Sequence, residues 1–246
     1  MQQKIGNGTF YHGDCFDVMR SLPDGSVDVI VTDPPYRVIS GGTKSGLSQN
    51  WKGTILEKND GKIFKFNDVE IIDYMTEFYR LLKPGSHCYV MINNLNIREL
   101  LNVADKIGFG FHNLLVWVKN NTTPNRWYSK NLEYTCFFYK KPARMIYHPN
   151  SKQTFAIDNV LRNKLHPTQK PVELFEHYIL NSVGEGMIVL DPFAGSGSLA
   201  IAAENAKRRW ICIERDPDYA TKAVERIRQH VGQATPIPSF DDLFAA

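Results

Sequence analysis

The stretch "VLDPFAGSGSLA", residues 189–200, is an apolar run that ends in an acid, breaks at Pro192 and passes two glycines into a helical pattern. Glycine lets the backbone approach a ligand closely, and the first turn of the following helix offers N–H groups without intrahelical partners. Gly195, Gly197 and Ala200 fit the spacing of a dinucleotide fingerprint, so a nicotinamide cofactor is one reading of the turn. Asp191 favours another. Dinucleotide turns usually begin with glycine, whereas an acid there can receive the ammonium of an amino-acid-like ligand. Downstream, "CIERD" ends a second strand at Glu214, where a carboxylate can accept hydrogen bonds from two ribose hydroxyls. A tight turn without a ligand is the third reading. The coincidence of glycines, strand-end acids and a helix start favours a nucleoside-bearing cofactor.

Outward from this turn, "GMIVLDP", "RWICIERD" and "VDVIVTD" are near-continuous apolar runs of strand length, as expected for strands buried on both faces of a parallel sheet. "HCYVMIN", "HNLLVWVK" and "EYTCFFYKK" add three strands, the last two suited to an antiparallel pair at a sheet edge. Between them, helical spacing predicts helices in "DVEIIDYMTEFYRLLKPG", starting at Asp68 and stopping at Pro84-Gly85, and in "NIRELLNVADKIGFG", "KPVELFEHYILNSVG", "GSLAIAAENAKR" and "PDYATKAVERIRQHVG". The alternation implies an α/β fold with helices on both faces of a mostly parallel sheet. At 246 residues, a single domain over 1–246 is expected, with a mobile loop at about 37–67, a small insertion at about 140–165 and a flexible tail at about 233–246.

Composition narrows the class. With 43% hydrophobic and 22% charged residues, and no apolar run near the roughly 20 residues that span a bilayer, no membrane protein is expected. The N-terminus lacks a basic start before an apolar segment, so a cytoplasmic location is expected. Cys15, Cys88, Cys136 and Cys212 lie far apart, as buried free thiols would, and no spacing predicts a metal site. Residues 119–170 hold ten bases and two acids, Glu133 and Asp158, a net charge of +8 against +3 for the chain. That segment, interleaved with Trp127, Tyr128, Tyr134, Tyr139 and Tyr147, is either a solvated face or a contact surface for nucleic-acid phosphates.

A further motif lies at the front of the chain. "VTDPPY", residues 31–36, closes a buried strand with an acid, two prolines and an aromatic ring. "DPPY" followed far downstream by "DPFAGSG" resembles the DNA amino-methyltransferases, and the order of catalytic motif first and cofactor motif last resembles their β group. "HGDCFDVMRSLPDGSVDVIVTDPPY", "LLVWVKNN", "EYTCFFYK" and "HPTQKPVELFE" extend the resemblance over nearly the whole chain. It implies a Rossmann-like methyltransferase fold around a mostly parallel seven-stranded sheet, with permuted motif order. The implied cofactor is S-adenosylmethionine and the implied partner double-stranded DNA, with a restriction enzyme as companion in many such systems. Homodimers are common in that family, and a homodimer is carried as an expectation.

Residue by residue, the resemblance puts Asp191, Phe193, Gly195, Gly197 and Ser198 on the cofactor and Glu214 on its ribose. Asp14 matches the acid at the cofactor's adenine edge and equally suits the N-cap of a helix over "CFDVMRSL". Thr168 and Lys170 match residues near the methionine end, where a lysine can pair with a carboxylate. Catalysis is implied for Asp33, Pro34, Pro35 and Tyr36. An exocyclic amino nitrogen is a poor nucleophile because its lone pair is delocalised into the ring. Asp33 and the carbonyl of Pro34 would accept its hydrogens and favour a pyramidal, reactive nitrogen. Asp33 could then take the released proton. The prolines fix the backbone around these acceptors, and Tyr36 offers a ring on which a flipped-out base can stack. "DPPY" goes mainly with adenine N6 in that family and "SPPY" with cytosine N4, so Asp33 favours adenine. N4-cytosine methylation is the alternative, ahead of a DNA-binding regulator with a degenerate cofactor pocket or a nicotinamide-dependent oxidoreductase.

Overall fold

The computed structural model of the chain describes residues 1–35, 69–123, 127–160 and 169–233. Its elements, in chain order, are β1 (Gln2–Ile5), β2 (Gly8–His12), α1 (Cys15–Ser21), β3 (Val27–Thr32), α2 (Ile71–Leu81), β4 (Leu82–Ile92), α3 (Ile97–Ile107), β5 (Phe109–Thr123), β6 (Lys130–Lys140), β7 (Thr154–Ala156), α4 (Val172–Ser182), β8 (Ile188–Asp191), α5 (Ser198–Asn205), β9 (Arg209–Glu214) and α6 (Pro217–Gln233). The six strand patterns read from the sequence appear as β3, β4, β5, β6, β8 and β9. The sheet has nine strands in the order β1-β2-β9-β8-β3-β4-β6-β5-β7, where the resemblance implies seven. The extra two are short edge strands: Gly6, at φ +53°, turns the chain so that β1 pairs antiparallel with β2, and β7 adds parallel to β5.

From β2 through β9, β8 and β3 to β4 every neighbouring pair is parallel, whereas β6 pairs antiparallel with both β4 and β5. Parallel strands need crossovers, and the helices that supply them cover both faces. Alternate residues of each strand divide between two cores. Val29, Val31, Val189 and Cys212 face the side covered by α4, α5 and α6, while Ile30, Leu190 and Ile213 face α1, α2 and α3. All six residues of β3 are buried, which explains its unbroken apolar pattern. At the opposite edge of the parallel set, Gly8 lies across from Trp210, whose indole occupies the space a Cβ would need. The ring lying over the glycine helps hold the β2–β9 register that sets His12 beside Glu214.

Helix α2 begins at Ile71 and ends at Leu81, and Leu82 donates its N–H to Phe78 before the chain runs straight into β4. The helix starts later than the expected Asp68, which itself lies outside the described residues: Glu70 is extended and serves as the N-cap, and the helix closes ahead of Pro84. The loop at 37–67 and the tail beyond 233 also lie outside the described residues, as do 161–168 of the expected insertion. The four cysteines are free and buried. Among the described residues no helix is long and apolar enough to cross a membrane, and no cluster of metal-ligating side chains occurs.

Candidate active site

Because β2, β9, β8 and β3 are consecutive parallel neighbours, their carboxyl ends open on one crevice. Each end delivers an acid or a glycine turn. Asp191 closes β8, Asp33 follows β3 and Glu214 closes β9, so motifs from opposite ends of the sequence meet on adjacent strands.

Asp191 is 2% exposed, and its Oδ1 accepts from Thr32 Oγ1 at 2.6 Å and from the Phe193 N–H at 3.1 Å. Burial pushes its carboxyl up to about 7, with smaller contributions from the fields of Asp33 and Glu214. Glu214 caps the glycine turn: Oε2 accepts from the Gly195 N–H at 2.8 Å and Oε1 from the Asp216 N–H at 2.8 Å. Burial raises its carboxyl too, against those N–H donors. Among the described residues neither acid has a cation within ion-pair distance. Two buried carboxyl groups without a described cation beside them make the crevice chemically suited to a ligand that carries positive charge.

The turn itself needs glycine. Gly195 and Gly197 have φ of +51° and +75°, and a Cβ on Gly197 would stand 2.9 Å from Ile227 Cδ1. Phe193 packs edge-on against Tyr74, with ring centroids 5.9 Å apart. Ser198, expected at the ligand, is buried, and its Oγ donates to the carbonyl of Lys170 at 2.9 Å and accepts from Arg226 Nη1 at 3.1 Å. Arg226 Nη1 also donates to the Ser196 carbonyl at 2.9 Å, so it braces the turn from behind. Asp14 takes the N-cap of α1, with Oδ1 accepting from the Phe16 N–H at 2.9 Å and Oδ2 3.8 Å from Arg215 Nε.

The second half of the site centres on Asp33. Its Oδ2 accepts from Lys170 Nζ, and its Oδ1 is buried with no hydrogen-bond partner among the described residues. Burial raises the Asp33 carboxyl, Lys170 opposes this, and the field of Glu133 adds to it. Pro34 is buried and Pro35 half-buried. Lys170, placed by residue matching near the cofactor's methionine end, sits with its ammonium between Asp33 and Glu133, 3.4 Å from Glu133 Oε2. A carboxylate as enclosed as Asp33 demands such a counter-charge. Tyr36 and Thr168 lie outside the described residues.

Sequence reasoning missed Glu133 and Lys119, whose Nζ is 3.1 Å from Glu133 Oε1. The available signal was isolation: Glu133 is one of two acids in a run with ten bases, at the head of an apolar strand. The basic segment also proves less uniform than its charge count. Lys140 donates inward to the carbonyls of Tyr79 and Leu82, Arg144 to that of Ser182, and Lys119 and Lys170 are paired with acids. Arg126, Arg162 and Lys164 lie outside the described residues, and Trp127 and Tyr128 are 79% and 93% exposed.

The profile of the family N6_N4_Mtase, DNA methylase, matches residues 27–225. A type II methyltransferase of Moraxella bovis, M2.MboI, is 26% identical, with 94% of this chain and 90% of that one covered. Among solved structures, M1.HpyAVI in complex with SAM superposes with a TM-score of 0.66 at 25% identity, over 88% of this chain and 98% of that one. The PvuII DNA methyltransferase, cytosine-N4-specific, gives 0.67 over 95% and 96%, but at 19% identity it shares the fold alone.

Proposed function

The chain belongs to the DNA methylase family, and on that premise we propose that it transfers a methyl group from S-adenosylmethionine to the exocyclic N6 of an adenine flipped out of double-stranded DNA. The observation that carries the reading is Asp33 Oδ1, a buried acceptor without a hydrogen-bond partner among the described residues, beside the carboxylate-lined crevice. An orphaned buried acceptor costs free energy unless something donates to it, and an exocyclic amino group is such a donor. Family membership sets aside the nicotinamide reading of the glycine turn. The preference for adenine over cytosine rests on the acid at position 33.

The crevice residues fit the cofactor, which would supply a methyl group activated by a sulfonium. Asp191 would receive its ammonium and Glu214 its ribose. Asp14 would reach its adenine edge, with Phe193, Gly195, Gly197 and Ser198 shaping the turn. Tyr36 would support the base, while Pro34 and Pro35 hold the acceptors; Thr168 and Lys170 would lie near the methionine end.

Asp191 makes cofactor binding pH-dependent. An ammonium binds the ionised carboxylate, so binding expels the proton that Asp191 holds below about pH 7. The dissociation constant measured by calorimetry is expected to rise as pH falls through 7, approaching roughly tenfold per pH unit. In the ligand-free protein the sign runs the other way. A carboxyl raised in the folded state binds more protons there than in the unfolded chain, so its contribution to stability declines as pH climbs from about 4 to 7. A dissociation constant flat between pH 6 and 8 would remove Asp191 from the ammonium site.

The function is tested by expressing the protein in a methylation-free host and sequencing its DNA by a method that reports modified bases directly. N6-methyladenine at a recurring short sequence is expected. N4-methylcytosine would transfer the reading to cytosine, and unmodified DNA from a folded, cofactor-binding protein would overturn it.

A further inference from the structure

Four charged side chains of alternating sign run in line behind the catalytic crevice. Lys119 on β5 stands 3.1 Å from Glu133 Oε1 on β6, and Glu133 Oε2 stands 3.4 Å from Lys170 Nζ, which donates in turn to Asp33 Oδ2. Their side chains are 16%, 35%, 9% and 20% exposed in that order, so Glu133 is the most solvated member and Lys170 the most enclosed. Asp33 and Lys170 belong to the proposed machinery, whereas Glu133 and Lys119 have no role in it. Burial disfavours the ionised form of Glu133, but Lys170 and Lys119 outweigh this and hold its carboxyl below the usual range. Glu133 is therefore a fixed negative charge.

Lysine ammonium carries three donors on a flexible stem and binds as a point charge. Facing Asp33 alone, it could straddle both carboxylate oxygens and occupy the acceptor that an incoming amino group needs. Glu133 gives the ammonium a second destination. Resting on the reading that Asp33 accepts from the base, we propose that Glu133, backed by Lys119, is a positioning residue for methyl transfer. It holds Lys170 to Oδ2 of Asp33 and keeps Oδ1 open as the acceptor. The arrangement also sets basicity. An undivided positive charge beside Asp33 would make it a weaker acceptor and a poorer proton sink. By drawing part of that charge away, Glu133 keeps the Asp33 carboxylate basic.

Among the described residues, the charged groups acting on Asp33 are Lys170 and Glu133, and Asp191 on the neighbouring strand feels its field in return. Changing either outer member of the line should move the Asp33 titration, in opposite directions. Glu133→Gln removes an acid that shares the charge of Lys170, so Asp33 feels more of that charge and its pKa falls. Lys119→Met frees Glu133 to compete harder for Lys170 and removes a cation from the line, so the Asp33 pKa rises. A role that is merely structural would shift neither, or both alike.

The test is a titration of the Asp33 carboxyl by carbon NMR in the cofactor-free protein, assigned by its loss in Asp33→Asn. It is paired with single-turnover methyl transfer to DNA as a function of pH. For Glu133→Gln the titration and the acid limb of the rate profile should both move down by about one unit. The plateau rate should fall by roughly tenfold or more with the KM for DNA little changed. For Lys119→Met both should move up. Should Glu133→Gln fail to fold, the direction of the Lys119→Met shift decides alone. Absent or same-direction shifts overturn the proposal. Opposite NMR shifts in the two variants, with a wild-type protein that methylates nothing, would uphold the charge line and sink the methyltransferase reading.

Discussion

Replacing Asp33 with alanine should cut methyl transfer by about 10²- to 10⁴-fold while leaving S-adenosylmethionine binding intact. The two effects separate because the acids at the crevice have separate neighbours. Asp33 Oδ1 has no hydrogen-bond partner among the described residues, whereas Asp191 is tied to Thr32 and the Phe193 N–H, and Glu214 to Gly195 and Asp216. Removing Asp33 takes a negative field off Asp191, which favours its ionised form and so the binding of an ammonium. Lys170 keeps Glu133 as a partner, so the variant is not left with a lone buried cation. Asp33→Asn should fall between wild type and alanine, since its amide carbonyl can accept a hydrogen bond but cannot take a proton. Single-turnover rates and calorimetry on the three proteins make the comparison. An alanine variant within tenfold of wild type would take Asp33 out of the reaction.

Lys170→Met should damage both stability and chemistry. It leaves Asp33 and Glu133 facing each other without the ammonium between them, and a buried charge stripped of its partner costs about 3–5 kcal/mol when forced to stay ionised. Glu133 is partly solvated and keeps Lys119, so the realised cost should lie below that range and fall mainly on Asp33. Asp33 escapes by holding its proton, so its folded pKa climbs further above the unfolded value. An acid with a raised folded pKa loses stability as pH rises through that window. The gap in Tm between Lys170→Met and wild type should therefore widen from pH 5 to pH 8. Methyl transfer should drop roughly 100-fold at neutral pH, with its acid limb moved upward. Were the lysine's whole task to hold the cofactor's carboxylate, cofactor affinity would fall with the pH profile unmoved.

What the sequence revealed and what it hid have physical reasons. Strands buried on both faces advertise themselves as unbroken apolar runs, and an acid ending such a run marks the carboxyl end of a central strand. Asp33, Asp191 and Glu214 were therefore legible as one crevice before any coordinate. Strands β1, β2 and β7, of four, five and three residues, carry no such pattern and were not legible. Contacts made across strands are equally silent. Nothing local to Glu133 says that Lys119 and Lys170, on other elements, will flank it. Nor does a count of basic residues show that Lys140 spends its ammonium on two backbone carbonyls.

Two cross-ties join the halves of the site: Thr32 Oγ1 to Asp191 Oδ1, and Ser198 Oγ to the carbonyl of Lys170. Each fastens an element of the acceptor side to one of the donor side through groups that are buried. On the proposed reading, the spacing between methyl donor and amino group is a dimension of the scaffold itself, established before either reactant arrives. The loss of freedom needed to hold two reactants at bonding range falls largely on folding, once, and is not repeated at every turnover.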